Sequence, residues 1–300
     1  MPNHNGDYEY TTRLGDIGED FVYRHFQDLL LPGQQLLSIA TKGELETEGH
    51  TKDEGGDFFV AVADTSLLVC VAQNYGVEVK TQQSMIPRNN DGHREWGSLG
   101  FDLWENSSRA RKGGFIRMMA VLDSINESQL GIFGSFAEAT ASHEAAYGEN
   151  TTKGVAYKTV LPGYLVFALV DGQQKPFACI VFRDFLALSK RMKQLARKAG
   201  FELDPVNFPT GEAAALLLNR ASITMCNTKN TWYVDLYDLK DLADVYLVNN
   251  PSDVTEETKG RYTTAEYARR GFVETVALQN LRLQHLRELA NGKVIIDKEA

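Results

Sequence analysis

Two short segments set chemically capable side chains into sequence that otherwise reads as β-strand. Gly55-Gly56-Asp57-Phe58-Phe59-Val60 puts a carboxylate after two glycines, at the head of an apolar run that reaches Val62. Tyr75-Gly76-Val77-Glu78-Val79-Lys80-Thr81 alternates valines with an acid and a base. Side chains along a strand alternate with a period of two, so Glu78 and Lys80 share one face while Val77 and Val79 enter the core. A hairpin returning through Leu67 to Val71 brings Asp57 beside Glu78. Upstream, Gly15 to Phe26 reads as a helix in which Ile17, Phe21, Val22 and Phe26 occupy one arc, with Glu19 among them as a third acid.

Gathered acids have a definite chemistry. Two like charges about 4 Å apart repel by roughly 4 kcal/mol at an effective dielectric near 20, so three carboxylates together call for a cation. Oxygen-only ligands favour a hard ion such as magnesium over zinc. A metal so held lowers the pKa of its bound water, orients it and neutralises charge on a phosphoryl oxygen. Lys80 would then orient the attacking water or stabilise the developing negative charge. The competing reading is an exposed strand whose Glu and Lys are simply solvated.

A helix glutamate, an aspartate opening a strand and Glu-x-Lys on the next strand: in this order the chain resembles the PD-(D/E)xK superfamily, the restriction-endonuclease-like nucleases. The matching residues are Glu19, Asp57, Glu78 and Lys80, and the resemblance covers about the first 80 residues. Gly56 stands where the motif has proline, and Asp53 is a second acid for the Asp57 position. The resemblance implies an α/β, restriction-endonuclease-like core with a central mixed β-sheet flanked by helices. It also implies metal-dependent hydrolysis of DNA phosphodiester bonds, with Mg2+ or Mn2+ on Asp57, Glu78 and Glu19, in defence, a mobile element or repair. An RNA-directed nuclease and an inactive nuclease-fold binding or scaffold protein are the alternatives. Gln82 shares the face of Glu78 and Lys80, and some members carry a glutamine near the site. Arg109, Arg111 and Lys112 lie in a basic loop ended by Gly113-Gly114, the best candidate in the first half for phosphate contact.

Composition bounds these readings. A 43% hydrophobic chain of 300 residues can build a real core, and 24% charged residues with eight prolines argue against disorder. A net charge of -9 means that any nucleic-acid groove must be a local basic patch on an acidic molecule. Cys70, Cys179 and Cys226 are far apart in apolar surroundings, which points to reduced thiols and a cytoplasmic setting. Met1 to Tyr10 has no apolar signal region, and no run approaches a membrane span. GxxxxGK[ST], HExxH and GxSxG are absent.

The remaining elements follow in order. Residues 1–12 read as a loose lead-in, and Pro32-Gly33 stops the Glu19 helix. Gln35–Ala40 and Ser98–Trp104 are predicted strands, and Lys42–Glu54 a loop. Asp171-Gly172 joins two apolar strands, 163–170 and 176–182. A basic helix follows from Asp184 to Lys198, ended at Gly200. A boundary near residue 205 divides a nuclease-like domain, 1–204, from a mostly helical C-terminal region, 205–300. The last helix is predicted over 263–290, with Thr263 and Glu266 as a capping box. Leu278, Leu281, Leu286 and Leu289 fall within an arc of about 140°. That face meets this chain or a second copy, which places a homodimer among the expectations.

Overall fold

Apolar periodicity decides the layers. In the computed structural model, which describes residues 4–41, 56–83, 95–105, 111–124, 131–133, 135, 137–138, 140–141, 161–204, 223–225, 229–258 and 275–299, the chain opens with helix α1 (His4–His25) and a 3-10 turn (Phe26–Leu29). Strands β1 (Gln34–Thr41), β2 (Phe58–Asp64), β3 (Cys70–Gln83), β4 (Ser98–Glu105) and β5 (Arg111–Lys112) precede helix α2 (Gly114–Ser124). Then come β6 (Gly131–Phe133), β7 (Leu161–Val170), β8 (Pro176–Phe182) and helix α3 (Phe185–Lys198). The chain closes with β9 (Ile223–Met225), β10 (Lys229–Asp235), the short α4 (Leu236–Leu239), β11 (Asp244–Val248), α5 (Val276–Ala290) and β12 (Val294–Ile295).

Among the described residues, eight strands form one mixed sheet in the order β1-β2-β3-β7-β8-β11-β12, with β6 also on β3; β5-β4-β10-β9 form a second. β3 and β7 run parallel, while β1, β2 and β3 are successively antiparallel. β7 is the centre of the large sheet because its sequence is apolar on both faces. Tyr164, Val166 and Ala168 enter one core with Phe21 and Val22 of α1 and Phe26 of the 3-10 turn; Leu165, Phe167 and Leu169 enter the other with Phe101, Phe115, Phe185 and Trp232. The molecule is therefore α/β, with α1 on one face of a mixed sheet and α2, α3, α5 and the second sheet on the other.

Several sequence expectations need correction. Residues 4–12 are not a loose lead-in, because α1 already begins at His4. Among the described residues beyond 204, strands stand beside the helix expected there: β10 pairs with β4, and β11 with β8, so these strands join both sheets. The physical reason is that Trp232, Val234, Val245 and Leu247 are needed by the same core as Leu165 and Phe182. Residues 205–222, which hold the expected boundary, lie outside the described residues, as does the Thr263–Glu266 capping box. The described last helix is capped by Thr275, whose Oγ1 accepts the Leu278 N–H at 3.2 Å. Its buried face is Gln279, Arg282, Leu283, Leu286 and Ala290, while Leu281 is 39% exposed. That face packs on this chain's own β11 and core. The hairpin after β7 turns over five residues, and the left-handed position is Gln174 rather than Gly172. Asp171 stabilises it by accepting the Gln173 and Lys175 N–H groups at 2.8 and 2.9 Å.

α1 crosses β3 closely, and small residues make that possible. A Cβ on Gly18 would collide with the Thr81 side chain, whose Oγ1 donates to the Gly15 carbonyl at 3.3 Å. Gly18→Ala gains about 1 kcal/mol of helix propensity, but overpacking of this kind costs roughly 1–3 kcal/mol. The variant is therefore expected to lower the urea midpoint, and Thr81→Ala in the same chain to recover part of the loss. An unchanged midpoint would show that α1 and β3 have room to spare.

Candidate active site

β2 and β3 are registered with Phe58 opposite Val77. Continuing that register by one residue sets Asp57 opposite Glu78, and cross-strand partners share a face. The backbone closes the pairing, since the Asp57 N–H donates to the Val77 carbonyl at 2.8 Å. The side chain then extends the ladder past the end of β2, its Oδ2 accepting the Val79 N–H at 2.8 Å. Gly56 permits this entry: it has a φ of 151°, and a Cβ there would press on Val77 N and O at 3.2 and 3.3 Å. Asp53 lies outside the described residues.

Glu78 is not solvated. Its side chain is 1% exposed, and its Oε1 receives the Lys80 ammonium at 2.7 Å. Lys80, 20% exposed, also reaches Asp102 Oδ2 on β4 at 3.3 Å. Asp102 is fixed in turn by Thr231 of β10, whose hydroxyl donates to Oδ1 at 2.9 Å. The other Glu78 oxygen, Oε2, is buried and has no hydrogen-bond partner among the described residues. The carboxylate lies against Gly114 at the start of α2, where any Cβ would collide with it. Gly113 is constrained as well, since its own Cβ would collide with the Asp102 carbonyl, and its N–H donates to the Leu103 carbonyl at 2.8 Å. The glycine pair that reads in sequence as the end of a basic loop therefore lets the start of α2 close on both β4 and Glu78.

The row Glu78, Lys80, Gln82 on β3 follows the edge of β4. The Gln82 carboxamide donates to the Ser98 carbonyl at 2.8 Å and accepts the Gly100 N–H at 3.0 Å, so it ties the second sheet to the first. Gln82, expected among the nucleic-acid-binding residues, has an amide bonded on both its atoms. Arg109 lies outside the described residues. Arg111 and Lys112 form β5, their backbones paired with Glu105 and Trp104. Asp102 and Gly114 are site residues that the sequence reading did not single out. A lone acid between Phe101 and Leu103 in an apolar strand was the available signal for the first, and a glycine opening a helix for the second.

Electrostatics couples the acids. Burial, then the charge of Glu78, then that of Glu19 push the Asp57 carboxyl up from 3.8 to about 7, with Lys80 and the Val79 N–H opposing. Burial works against the Lys80 ammonium, but Glu78, Asp102 and Asp57 outweigh it and hold Lys80 above the ordinary lysine value. Glu19, on α1, thus acts on Asp57 through its charge. Among the described residues, no three His, Cys, Asp or Glu side chains form a ready-made metal cage. A magnesium-type ion does not require one, because it keeps several waters and binds through one or two carboxylates plus substrate phosphates. The orphaned Glu78 Oε2 and the crowded Asp57 carboxyl are oxygen donors of that kind. Comparison of the chain with protein-family models, with curated proteins and with solved structures gives no match.

The raised Asp57 pKa makes stability depend on pH with a definite sign. Between about 4 and 7 the folded chain holds a proton that the unfolded chain has released, so this group's contribution to stability is present at low pH and is lost as pH rises toward 7. Asp57→Asn keeps an acceptor for the Val79 N–H and removes the titration. The melting temperature of the variant minus that of the wild type is expected to grow from pH 4 to pH 8, measured without divalent metal. A difference that stays constant with pH would show that Asp57 is not held protonated by its neighbours.

Proposed function

We propose that this chain is a metal-dependent phosphodiester hydrolase acting on DNA, of the restriction-endonuclease-like kind that its motif resembles. One observation carries the reading. Asp57 at the mouth of β2 and Glu78-x-Lys80 on the adjacent antiparallel strand face each other at the start of α2, with Glu19 close enough to raise the Asp57 pKa. That proximity and the burial of Glu78, which is 1% exposed, support the reading over a solvated strand face.

Asp57 and Glu78, with Glu19 beside them, are the residues that would hold Mg2+ or Mn2+. When bound, such an ion supplies positive charge at a phosphoryl oxygen and an acidified water. The chain's own groups do the rest. Lys80 is held protonated by Glu78 and Asp102, so it acts as a hydrogen-bond donor and fixed positive charge rather than as a base. That suits stabilisation of the negative charge that builds on the phosphoryl oxygens as water attacks phosphorus and the ester P–O bond breaks. Asp102 and Thr231 keep the ammonium from swinging into solvent. With a net charge of -9, most of the surface repels nucleic acid, so substrate affinity must come from a local patch and fall steeply with salt.

The test is cleavage of plasmid, linear and single-stranded DNA, and of RNA in parallel, at low salt with and without Mn2+. Wild type is expected to cut DNA only with metal. Lys80→Ala is expected to lose roughly 10^2–10^3-fold in single-turnover rate, the scale for removing one transition-state donor, with little change in DNA affinity. Asp57→Asn should lose both cleavage and the metal-induced rise in melting temperature. Cleavage of RNA alone would reassign the substrate. Full activity in both variants, or no cleavage of either nucleic acid, would overturn the hydrolase reading and leave a binding protein.

A further inference from the structure

A second concave feature shares no lining residue with Asp57, Glu78 or Lys80. Beyond the ends of β7 and β11, the Asp171–Lys175 turn, the segment 249–258 and the side of α5 enclose a cavity of about 330 Å3. That is the lower end of the range for small-molecule sites, about 300–1,000 Å3. The 249–258 segment is strapped open rather than collapsed inward. Asn280 pairs through both amide atoms with the Val254 backbone, Arg287 donates to the Pro251 carbonyl at 2.7 Å, and the Gly172 N–H donates to the Thr258 carbonyl at 3.1 Å. The floor is apolar, formed by Phe177, Leu283 and Leu286. Two polar side chains of α5, Gln279 and Arg282, line it from buried positions, 7% and 3% exposed.

Buried donors and answered acids both line the cavity, and Nη2 of Arg282 is buried with no hydrogen-bond partner among the described residues. Asp171 is bonded to its own turn through the Gln173 and Lys175 N–H groups, and Asp253 is bonded to Arg287 at 2.8 Å. Both lining acids are therefore answered locally. Lys175 stands exposed at the rim, and Arg282 lies within. A guanidinium carries five N–H donors in a fixed fork, so it can serve an internal partner and still present donors to a ligand oxyanion. Gln279 is one turn away on the same helix face and adds an amide.

We propose that this cavity is a binding site for a small organic anion, with its carboxylate or phosphate on Arg282 and Gln279 and its apolar body on Phe177, Leu283 and Leu286. The site is independent of the hydrolase reading and exists whether or not the chain cleaves DNA. Apolar lining with a few convergent polar groups is the general character of small-molecule sites. The buried guanidinium selects charge, and the floor selects an apolar body over a bare ion.

The experiment is calorimetric titration of the full chain, free of divalent metal, with phenyl phosphate, benzoate, inorganic phosphate, benzyl alcohol and benzylamine. Phenyl phosphate or benzoate is expected to bind saturably at one site, and whichever binds tighter identifies the acid group; inorganic phosphate, the alcohol and the amine should bind at least about tenfold more weakly. Arg282→Met should weaken the anion by about tenfold or more, the scale of a lost charged hydrogen bond. Lys175→Glu, at an exposed position, should weaken it by about threefold through reversed rim charge. Lys80→Ala should bind as wild type does, which separates this cavity from the candidate active site. If Arg282→Met does not fold by circular dichroism, Lys175→Glu decides. Equal binding of benzyl alcohol, binding that survives the deciding variants, loss of binding in Lys80→Ala, or no binding of either organic anion would each overturn the proposal.

Discussion

The buried contact between Glu78 and Lys80 is the constraint that the surrounding structure serves. Removing a carboxylate and an ammonium from water costs several kcal/mol per ion even after relaxation, and attraction repays that only where geometry and further hydrogen bonds are good. Here the ammonium has a second acid, Asp102, and that acid has its own donor in Thr231. The carboxylate is less well served, because Oε2 is buried without a hydrogen bond among the described residues. Opposite it lies a second acid, Asp57, whose pKa burial and the neighbouring Glu78 push up to about 7, so two acids are crowded at one place. Crowding of this kind persists only where the rest of the structure over-determines it.

That over-determination can be traced to particular residues. Gly113 and Gly114 let α2 reach β4 and Glu78, and larger residues would hold it away. Gln82 fastens the β4 edge to β3 two residues beyond Lys80, so Asp102 is delivered to the ammonium by the register of a strand rather than by a loop. β10 then pairs with β4 and carries Thr231 to Asp102. The late part of the chain is thereby built into the environment of residues met near its start. Trp232, Val234, Val245 and Leu247, all beyond residue 205, share one core with Leu165 and Phe182.

What could be read from sequence was what local period and turn chemistry determine. The alternation of Val77, Glu78, Val79 and Lys80 predicts faces, and apolar runs at 163–170 and 176–182 predict the centre of a sheet. Asp184 before an amphipathic stretch predicts the start of α3, whose cap it forms by accepting the Ala187 N–H at 2.8 Å. Asp102 was illegible because its partners, Lys80 on β3 and Thr231 on β10, are brought to β4 by a docking that no local pattern encodes. The burial of Arg282 in place of Leu281 was illegible for a similar reason. Which stripe of α5 turns inward is set by β11 and the 249–258 segment, not by the count of leucines. Gln82 shows the converse: its position on the face was read correctly from alternation, while its bonds to Ser98 and Gly100 depend on a second sheet that alternation does not reveal.

β3 is where these demands meet, and its register leaves little freedom. Val77 and Val79 fill the core under α1, and Thr81 touches Gly15 and Gly18. On the other face Glu78, Lys80 and Gln82 meet α2 and β4, and at the far end the Gln83 amide donates to the Asp171 carbonyl at the edge of the second cavity. A slip by one residue would exchange the two faces, driving Glu78 and Lys80 under α1 and leaving Val77 and Val79 against Asp102 and the start of α2. The bulge between Gly76 and Val77, together with the tight approach of Gly163 to Tyr75, fixes β3 against β7 just before the charged row begins. Glu78 and Lys80 are thus placed by the same features that forbid the alternative register, so their position cannot be altered without disturbing the packing of β3 against α1 and β7.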